Sequence, residues 1–209
     1  MKPYKNLIFD IGDVIIDIDY KATVAEFQKL AVVDFGTIVS YSKQNPIFDQ
    51  FETGKISARQ FSDELKQFLK PGTTDEQIYA AWNAILIDYP AYKIDLLKTL
   101  KNKYRTFALS NINEVHVNTI NLAVKQRFGI DSFASLFNHA YYSNEVGYRK
   151  PDKEIYQLVL EKENLMPGDT FFVDDKAENI AAAKELGIQA YQLTNRNELN
   201  ELLAAKGII

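Results

Sequence analysis

Five short runs rich in β-branched and aromatic residues punctuate this chain: Leu7–Asp10, Arg105–Ser110, Phe137–Tyr142, Thr170–Asp174 and Gln189–Leu193. The segments between them carry helical patterns, and that alternation restricts the chain to an α/β architecture, a parallel sheet covered by helices on both faces. Between the last two runs, Lys176–Leu186 presents Ala177, Ile180, Ala181 and Leu186 as a partly apolar face, and Gly187 stands where a helix ends. The result is a β-α-β unit, whose crossover is expected to be right-handed.

The rhythm breaks between Tyr20 and Asp88. This stretch reads as helices only, with capping boxes at Ser57–Gln60 and Thr74–Gln77 and with Gly54 and Pro71-Gly72 as punctuation. It is too long for one crossover, so an inserted all-helical module is expected at 20–88, with the α/β core formed by 1–19 and 89–209. Tyr41, Phe48, Phe51 and Trp82 are expected in the core of that module, although aromatics at its rim could also stack on a ligand.

At 209 residues the chain has room for one substantial core and a small insertion, and 46% apolar with 25% charged residues is ordinary for a soluble globule. A net charge of −4 argues against nucleic-acid binding, which needs clustered cations. The absence of cysteine excludes disulfides, thiolate zinc sites and thiol nucleophiles. No apolar run approaches the roughly 18 residues of a membrane span, so a cytoplasmic protein with no membrane partner is expected. Nothing in the sequence selects an oligomeric state.

In open α/β sheets ligands bind outside the carboxyl ends of the strands. Here those ends carry Asp10, Ser110-Asn111 and Asp174-Asp175, while Lys150 lies in the loop Gly147–Asp152 after the third run. Singly these are ordinary residues: an Asp after a strand is a turn former or helix cap, Ser-Asn a cap, and a loop Lys a solvated cation. Asp174-Asp175 is harder to dismiss, because adjacent carboxylates at a strand end repel unless a cation sits beside them. In combination they are far more specific.

Taken in order, Asp10-Ile11-Gly12-Asp13-Val14, Leu109-Ser110-Asn111, Arg149-Lys150-Pro151 and Phe172-Val173-Asp174-Asp175 followed by Asn179 resemble the haloacid dehalogenase (HAD) superfamily over the whole chain. The insertion resembles that family's helical C1 cap. Phe9–Gly12, Gly54–Ser57 and Arg149–Pro151 are similar to the branch that contains the bacterial α-glucose-1-phosphate phosphatase. The resemblance implies a three-layer Rossmann-like parallel sheet with a helical cap. It also implies a Mg²⁺-dependent phosphatase acting on a small phosphorylated metabolite, a sugar phosphate such as a hexose 1-phosphate. Asp10 would be the nucleophile that forms an aspartyl-phosphate, and a metal ligand. The Gly12 carbonyl and Asp175 would complete the protein's share of the metal shell, with Asp174 close behind or water-bridged. Ser110 and the Asn111 backbone would hold phosphate oxygens, and Lys150 would neutralise nucleophile and phosphoryl group. The chemistry agrees, since Mg²⁺ favours a few carboxylates plus phosphate and water, and phosphoryl transfer is mainly positioning and charge neutralisation.

Gly12 departs from the family pattern, which places the general acid two residues after the nucleophile. Three explanations compete: Asp13 swings into the role, the leaving group is an easily expelled anomeric oxygen, or catalysis has been lost and only metabolite or partner binding remains. A metal-free 2-haloacid dehalogenase is a further rival, opposed by the Asp174-Asp175 pair. His116, about two turns into the helix after Ser110-Asn111, could edge the substrate pocket. Asp17 and Asp19 read as a solvated turn leading into the cap, and Asn113 and Asn179 as loop ties.

Overall fold

A computed structural model of the chain describes residues 4–34, 36–38 and 46–209. Its main sheet contains β1 (Asn6–Phe9), β4 (Arg105–Ser110), β5 (His139–Tyr142), β6 (Thr170–Asp174) and β7 (Gln189–Gln192), in the order β5-β4-β1-β6-β7. All four pairings are parallel. The central strand β1 is buried at every position, as a continuous apolar run in a doubly covered sheet must be.

Alternating side chains feed two separate cores. Leu7 and Phe9 of β1, Ala108 of β4 and Phe171 and Val173 of β6 face one way, packing on α5 (Ala91–Lys101), α6 (Glu114–Phe128) and α10 (Leu199–Ala205). Ile8, Phe107, Leu109 and Phe172 face the other way, onto α8 (Lys153–Lys162) and α9 (Ala177–Glu185). This period of two across one sheet produces the three layers. Gly187, two residues past the end of α9, has φ +82°, the left-handed conformation that ends a helix cheaply only with glycine.

Between β1 and α5 lie α1 (Tyr20–Leu30), α2 (Ile47–Glu52), α3 (Ala58–Lys66) and α4 (Asp75–Asn83). They enclose their own cluster, including Phe27, Phe51, Phe61, Leu65 and Ile78. Phe51 stacks on Phe61 at 4.3 Å and Phe48 on Trp82 at 5.3 Å; Tyr41 lies outside the described residues. Both capping boxes form, Ser57 with Gln60 and Thr74 with Gln77, and each satisfies two orphan N–H groups of its helix.

The stretch is not helical throughout. β2 (Asp17–Ile18) pairs antiparallel with β3 (Leu86–Asp88) in a small ribbon where the chain leaves and re-enters the core. Asp17 and Asp19 are likewise more than a solvated turn. Asp17 accepts from the fully buried Lys93 ammonium at 3.0 Å, and Asp19 caps α1 through the Lys21 N–H. Strand ends also shift: β1 stops at Phe9, and β5 starts only at His139 because Phe133–Leu136 winds into a single 3₁₀ turn. Among the described residues no helix is long and apolar enough to cross a membrane.

Candidate active site

The in-register pairing of Phe9 with Ala108 and with Val173 brings the ends of β4, β1 and β6 side by side. Asp10 follows directly, its N–H bonded to the Val173 carbonyl at 2.9 Å, so its carboxyl projects from the middle of the sheet edge. Lys150 arrives from the loop between the short helix α7 (Ser143–Val146) and α8. Its Nζ is 2.8 Å from Asp10 Oδ1 and 2.6 Å from Asp174 Oδ2. Asn111 secures that loop: its Nδ2 donates to the Lys150 carbonyl and its Oδ1 accepts the Lys150 N–H, each at 2.8 Å. The Asn111 side chain is thereby committed to structure, and what remains for a phosphate at this motif is the backbone and the neighbouring Ser110 hydroxyl.

The two members of the acidic pair have different surroundings. Asp174 is fully buried and saturated, accepting from Lys150, from both Asn179 contacts (2.9 and 3.0 Å) and from the Lys176 N–H at 2.8 Å. Asp175 lines the cavity beside Asp10, with Lys176 Nζ at 3.1 Å. Asp10, Asp174 and Asp175 each offer an oxygen within 4.8 Å of the others, a donor set suited to a hard cation such as Mg²⁺. Asp10 and Asp175 are the open members, and Asp174 stands behind them as the partner of Lys150.

Burial pushes the Asp10 carboxyl up to about 7, against the pull of Lys150 and with a further push from Asp174. A divalent cation beside it would hold it ionised, as a nucleophile must be. Burial also works against the Lys150 ammonium, but the Asp10 and Asp174 carboxylates outweigh it and keep its pKa above the ordinary lysine value. A permanent cation therefore faces the nucleophile. An anionic halo-acid entering without a metal would meet Asp175 as well as Asp10, which opposes the dehalogenase alternative.

The carboxylate next to Gly12, that of Asp13, is engaged elsewhere. Asp13, at φ +53°, turns away: its Oδ1 accepts from the Ile18 N–H at 3.2 Å and lies 3.1 Å from Arg196 Nη1. A Cβ on Gly12 would come within 3.0 Å of Ile18 Cδ1, so Ile18 fills the space toward which a side chain there would grow.

Two adjoining cavities meet at this point. The polar one, about 210 Å³, contains Asp10, Lys150, Arg149 and Asp175. The other, about 120 Å³, is mostly apolar, with Ile18, Trp82, Ile85, Leu86 and Ile112 in its wall. Gly12, Ile18, Tyr20, Glu52, Ser110 and Asn111 belong to both. Tyr20, Glu52 and Arg149 escaped the sequence reading. The only local sign of Glu52 was a carboxylate just before the Gly54 break, and Arg149 was read merely as part of a motif.

His116 does reach the apolar chamber, but it lies in the first turn of α6 rather than two turns in. Its Nε2 bonds to the Trp82 carbonyl at 3.2 Å and its Nδ1 to Asn113 Nδ2 at 3.1 Å, while its ring stacks on Trp82 at 5.4 Å. A carbonyl on one side and an amide NH₂ on the other define the neutral Nε2–H tautomer. Burial lowers its pKa to about 4. His116 therefore ties cap to core and offers a ligand only its ring edge. Asn113 caps α6 through the His116 N–H, and Asn179 holds Asp174, as loop ties should.

The chain matches the haloacid dehalogenase-like hydrolase family over residues 4–187. It is 32% identical to a D-ribitol-5-phosphate phosphatase of Bacteroides thetaiotaomicron, over 95% of this chain and 98% of that protein. A HAD-family enzyme of the same organism, solved with magnesium and inorganic phosphate, superimposes with a TM-score of 0.82 at 35% identity, covering 90% of this chain and 93% of that one. A HAD-like hydrolase structure from Porphyromonas gingivalis gives 0.86 at 26% identity, over 97% and 98%.

Proposed function

The chain belongs to the haloacid dehalogenase-like hydrolases and has the make-up of a phosphate-monoester hydrolase, and within that class we propose that it is a Mg²⁺-dependent phosphatase of a small phosphorylated sugar or polyol. The observation that carries this reading is the convergence of Asp10, Lys150 and Asp175 on one polar cavity that adjoins a small apolar chamber.

Asp10 attacks phosphorus and becomes an aspartyl-phosphate, which water then hydrolyses. Lys150, held by Asp174, compensates charge on the nucleophile and on the transferring phosphoryl group throughout. Ser110 and the Asn111 backbone hold phosphate oxygens. Asp10, Asp175 and the Gly12 carbonyl would hold Mg²⁺, which would supply further charge neutralisation when bound. The bare Gly12 suits a leaving group that departs easily, and a hexose 1-phosphate, whose anomeric oxygen is such a group, is the finer proposal. The resemblance to a D-ribitol-5-phosphate phosphatase supports an open-chain polyol phosphate as the other member of the class.

The test is a panel of hexose 1-phosphates, hexose 6-phosphates and pentitol 5-phosphates, assayed with Mg²⁺ and with chelator, beside Asp10→Asn. Phosphate release that needs Mg²⁺ and falls by at least about 10³-fold in Asp10→Asn is expected, since removing a covalent nucleophile leaves only binding and electrostatics. No metal-dependent release from any ester would overturn the reading.

A further inference from the structure

We infer that Glu52, at the end of the cap helix α2, is the general acid and base of the reaction and fills the role left open at Gly12. The inference rests on the phosphatase reading above. With phosphate bound between Asp10, Lys150 and Ser110 in the polar cavity and the leaving group in the apolar chamber, the bridging oxygen lies where the two cavities join. Glu52 is the one carboxylate, among the described residues, that lines both.

Glu52 is also held in place from the core side. Ser143 Oγ donates to the Glu52 carbonyl, and the same hydroxyl accepts the Ile112 N–H at 2.9 Å, which links the end of α2 to the loop that follows Ser110. Arg149 Nη2 lies 3.1 Å from Glu52 Oε2, and its Nη1 pairs with Asp49 one turn earlier. At Gly54 the cap turn lies so close to the core that a Cβ would collide with the Asn144 carbonyl oxygen. A merely solvated cap carboxylate needs none of this.

Burial raises the Glu52 carboxyl to about 7 while Lys150 pulls it down, and the Arg149 guanidinium faces it at 3.1 Å. Tyr20 is the other titratable group shared by the two cavities among the described residues, while Asp10, Arg149, Lys150, Asp175, Lys176 and Glu178 line the polar cavity and His116 the apolar one. A group poised near neutrality can donate in one step and accept in the next. Tyr20 can donate but is a poor base, because burial raises its pKa still further. Asp13 is turned away and tied to Arg196.

In the first step an Asp10 oxygen forms a bond to phosphorus, the bond from phosphorus to the leaving oxygen breaks, and the Glu52 proton passes to that oxygen, releasing the alcohol. In the second, Glu52 carboxylate takes a proton from water, the hydroxide oxygen bonds to phosphorus, and the phosphorus–Asp10 bond breaks. Inorganic phosphate leaves, with Asp10 ionised and Glu52 protonated again.

The test compares kcat/KM of wild type and Glu52→Gln for a pentitol 5-phosphate and for p-nitrophenyl phosphate, whose leaving group needs no proton. The expected result is a loss of about 10²-fold or more for the alkyl ester. For the aryl ester kcat/KM should change little, with a burst of p-nitrophenolate as the phosphoenzyme accumulates. Gly12→Asp added to Glu52→Gln should recover part of the alkyl activity, which no structural role of Glu52 explains. Equal losses on both esters with an active wild type would overturn the assignment of Glu52 alone. A wild type that releases phosphate from neither of these esters nor from any hexose phosphate would overturn the phosphatase reading itself. Retained aryl kcat/KM also shows that the variant is folded.

Discussion

Lys150 Nζ lies 2.6 Å from Asp174 Oδ2, and neither side chain is more than 1% exposed. A charge pair this deep needs its remaining lone pairs satisfied to offset desolvation, and Asn179 and the Lys176 N–H satisfy them. Both Asp174 oxygens are thereby occupied by donors, and Lys150 is the charged one. Asp174→Asn removes the anion and sets an amide NH₂ against donors. The expected cost is about 2–4 kcal/mol of folding stability, together with a lower kcat/KM, read by urea denaturation and steady-state kinetics. An unchanged urea midpoint would show that the pair contributes nothing.

Asp13→Asn separates the two explanations of proton delivery that involve side chains. Asn tolerates the positive φ of this position and can still accept the Ile18 N–H, while losing the charge that meets Arg196. Turnover should stay within about threefold of wild type and stability should drop by about 1 kcal/mol or less, the usual range for a partly exposed pair. A hundredfold fall in kcat on alkyl esters, as loss of a general acid gives, would return the role to Asp13.

The strand ends were legible because a polar residue that closes a buried apolar run has few places to be. Asp10, Ser110 and Asp174-Asp175 could be placed at one edge by counting strands alone. The β2–β3 ribbon was not legible, since two paired residues and three are too short for alternation to register. Nor was the role of Asp17, which depends on the burial of Lys93, far along the chain. Glu52 was missed for the same reason: its place is set by Ser143, Asn144 and Arg149, contacts remote in sequence that no local pattern encodes. His116 lines the apolar chamber, but its partners, Trp82 and Asn113, are tertiary and capping contacts that no local pattern announces.

His116 predicts a pH dependence of stability. Its folded pKa is about 4 against 6.5 unfolded, so the folded state resists protonation. Its stabilising contribution is complete above pH 6.5 and is lost as pH falls from there toward 4, by up to about 3 kcal/mol. The raised Asp10 and Glu52 carboxyls act oppositely, since the folded state binds their protons more readily than the unfolded chain. Comparison with His116→Gln isolates the histidine. The stability difference between wild type and variant should shrink between pH 7 and 5, measured by denaturant titration. A difference constant with pH would mean that His116 is not buried neutral.

Gly54 tests whether the seat of the cap sets the chemistry. Its φ of +66° disfavours any L side chain by about 1–2 kcal/mol, and a Cβ would strike the Asn144 carbonyl oxygen, a backbone atom that cannot rotate aside. Gly54→Ala must therefore lift the Thr53–Lys55 turn from the core and carry Glu52 with it. The cost should exceed the strain alone, about 2 kcal/mol or more in thermal or urea unfolding. Activity should fall unevenly, because displacement of roughly 1 Å at a proton donor costs on the order of 10²-fold where protonation limits the rate. Alkyl esters should therefore lose more than p-nitrophenyl phosphate. Gly54→Ala with unchanged activity on alkyl esters would mean that the close approach of cap and core at this turn does not position the site.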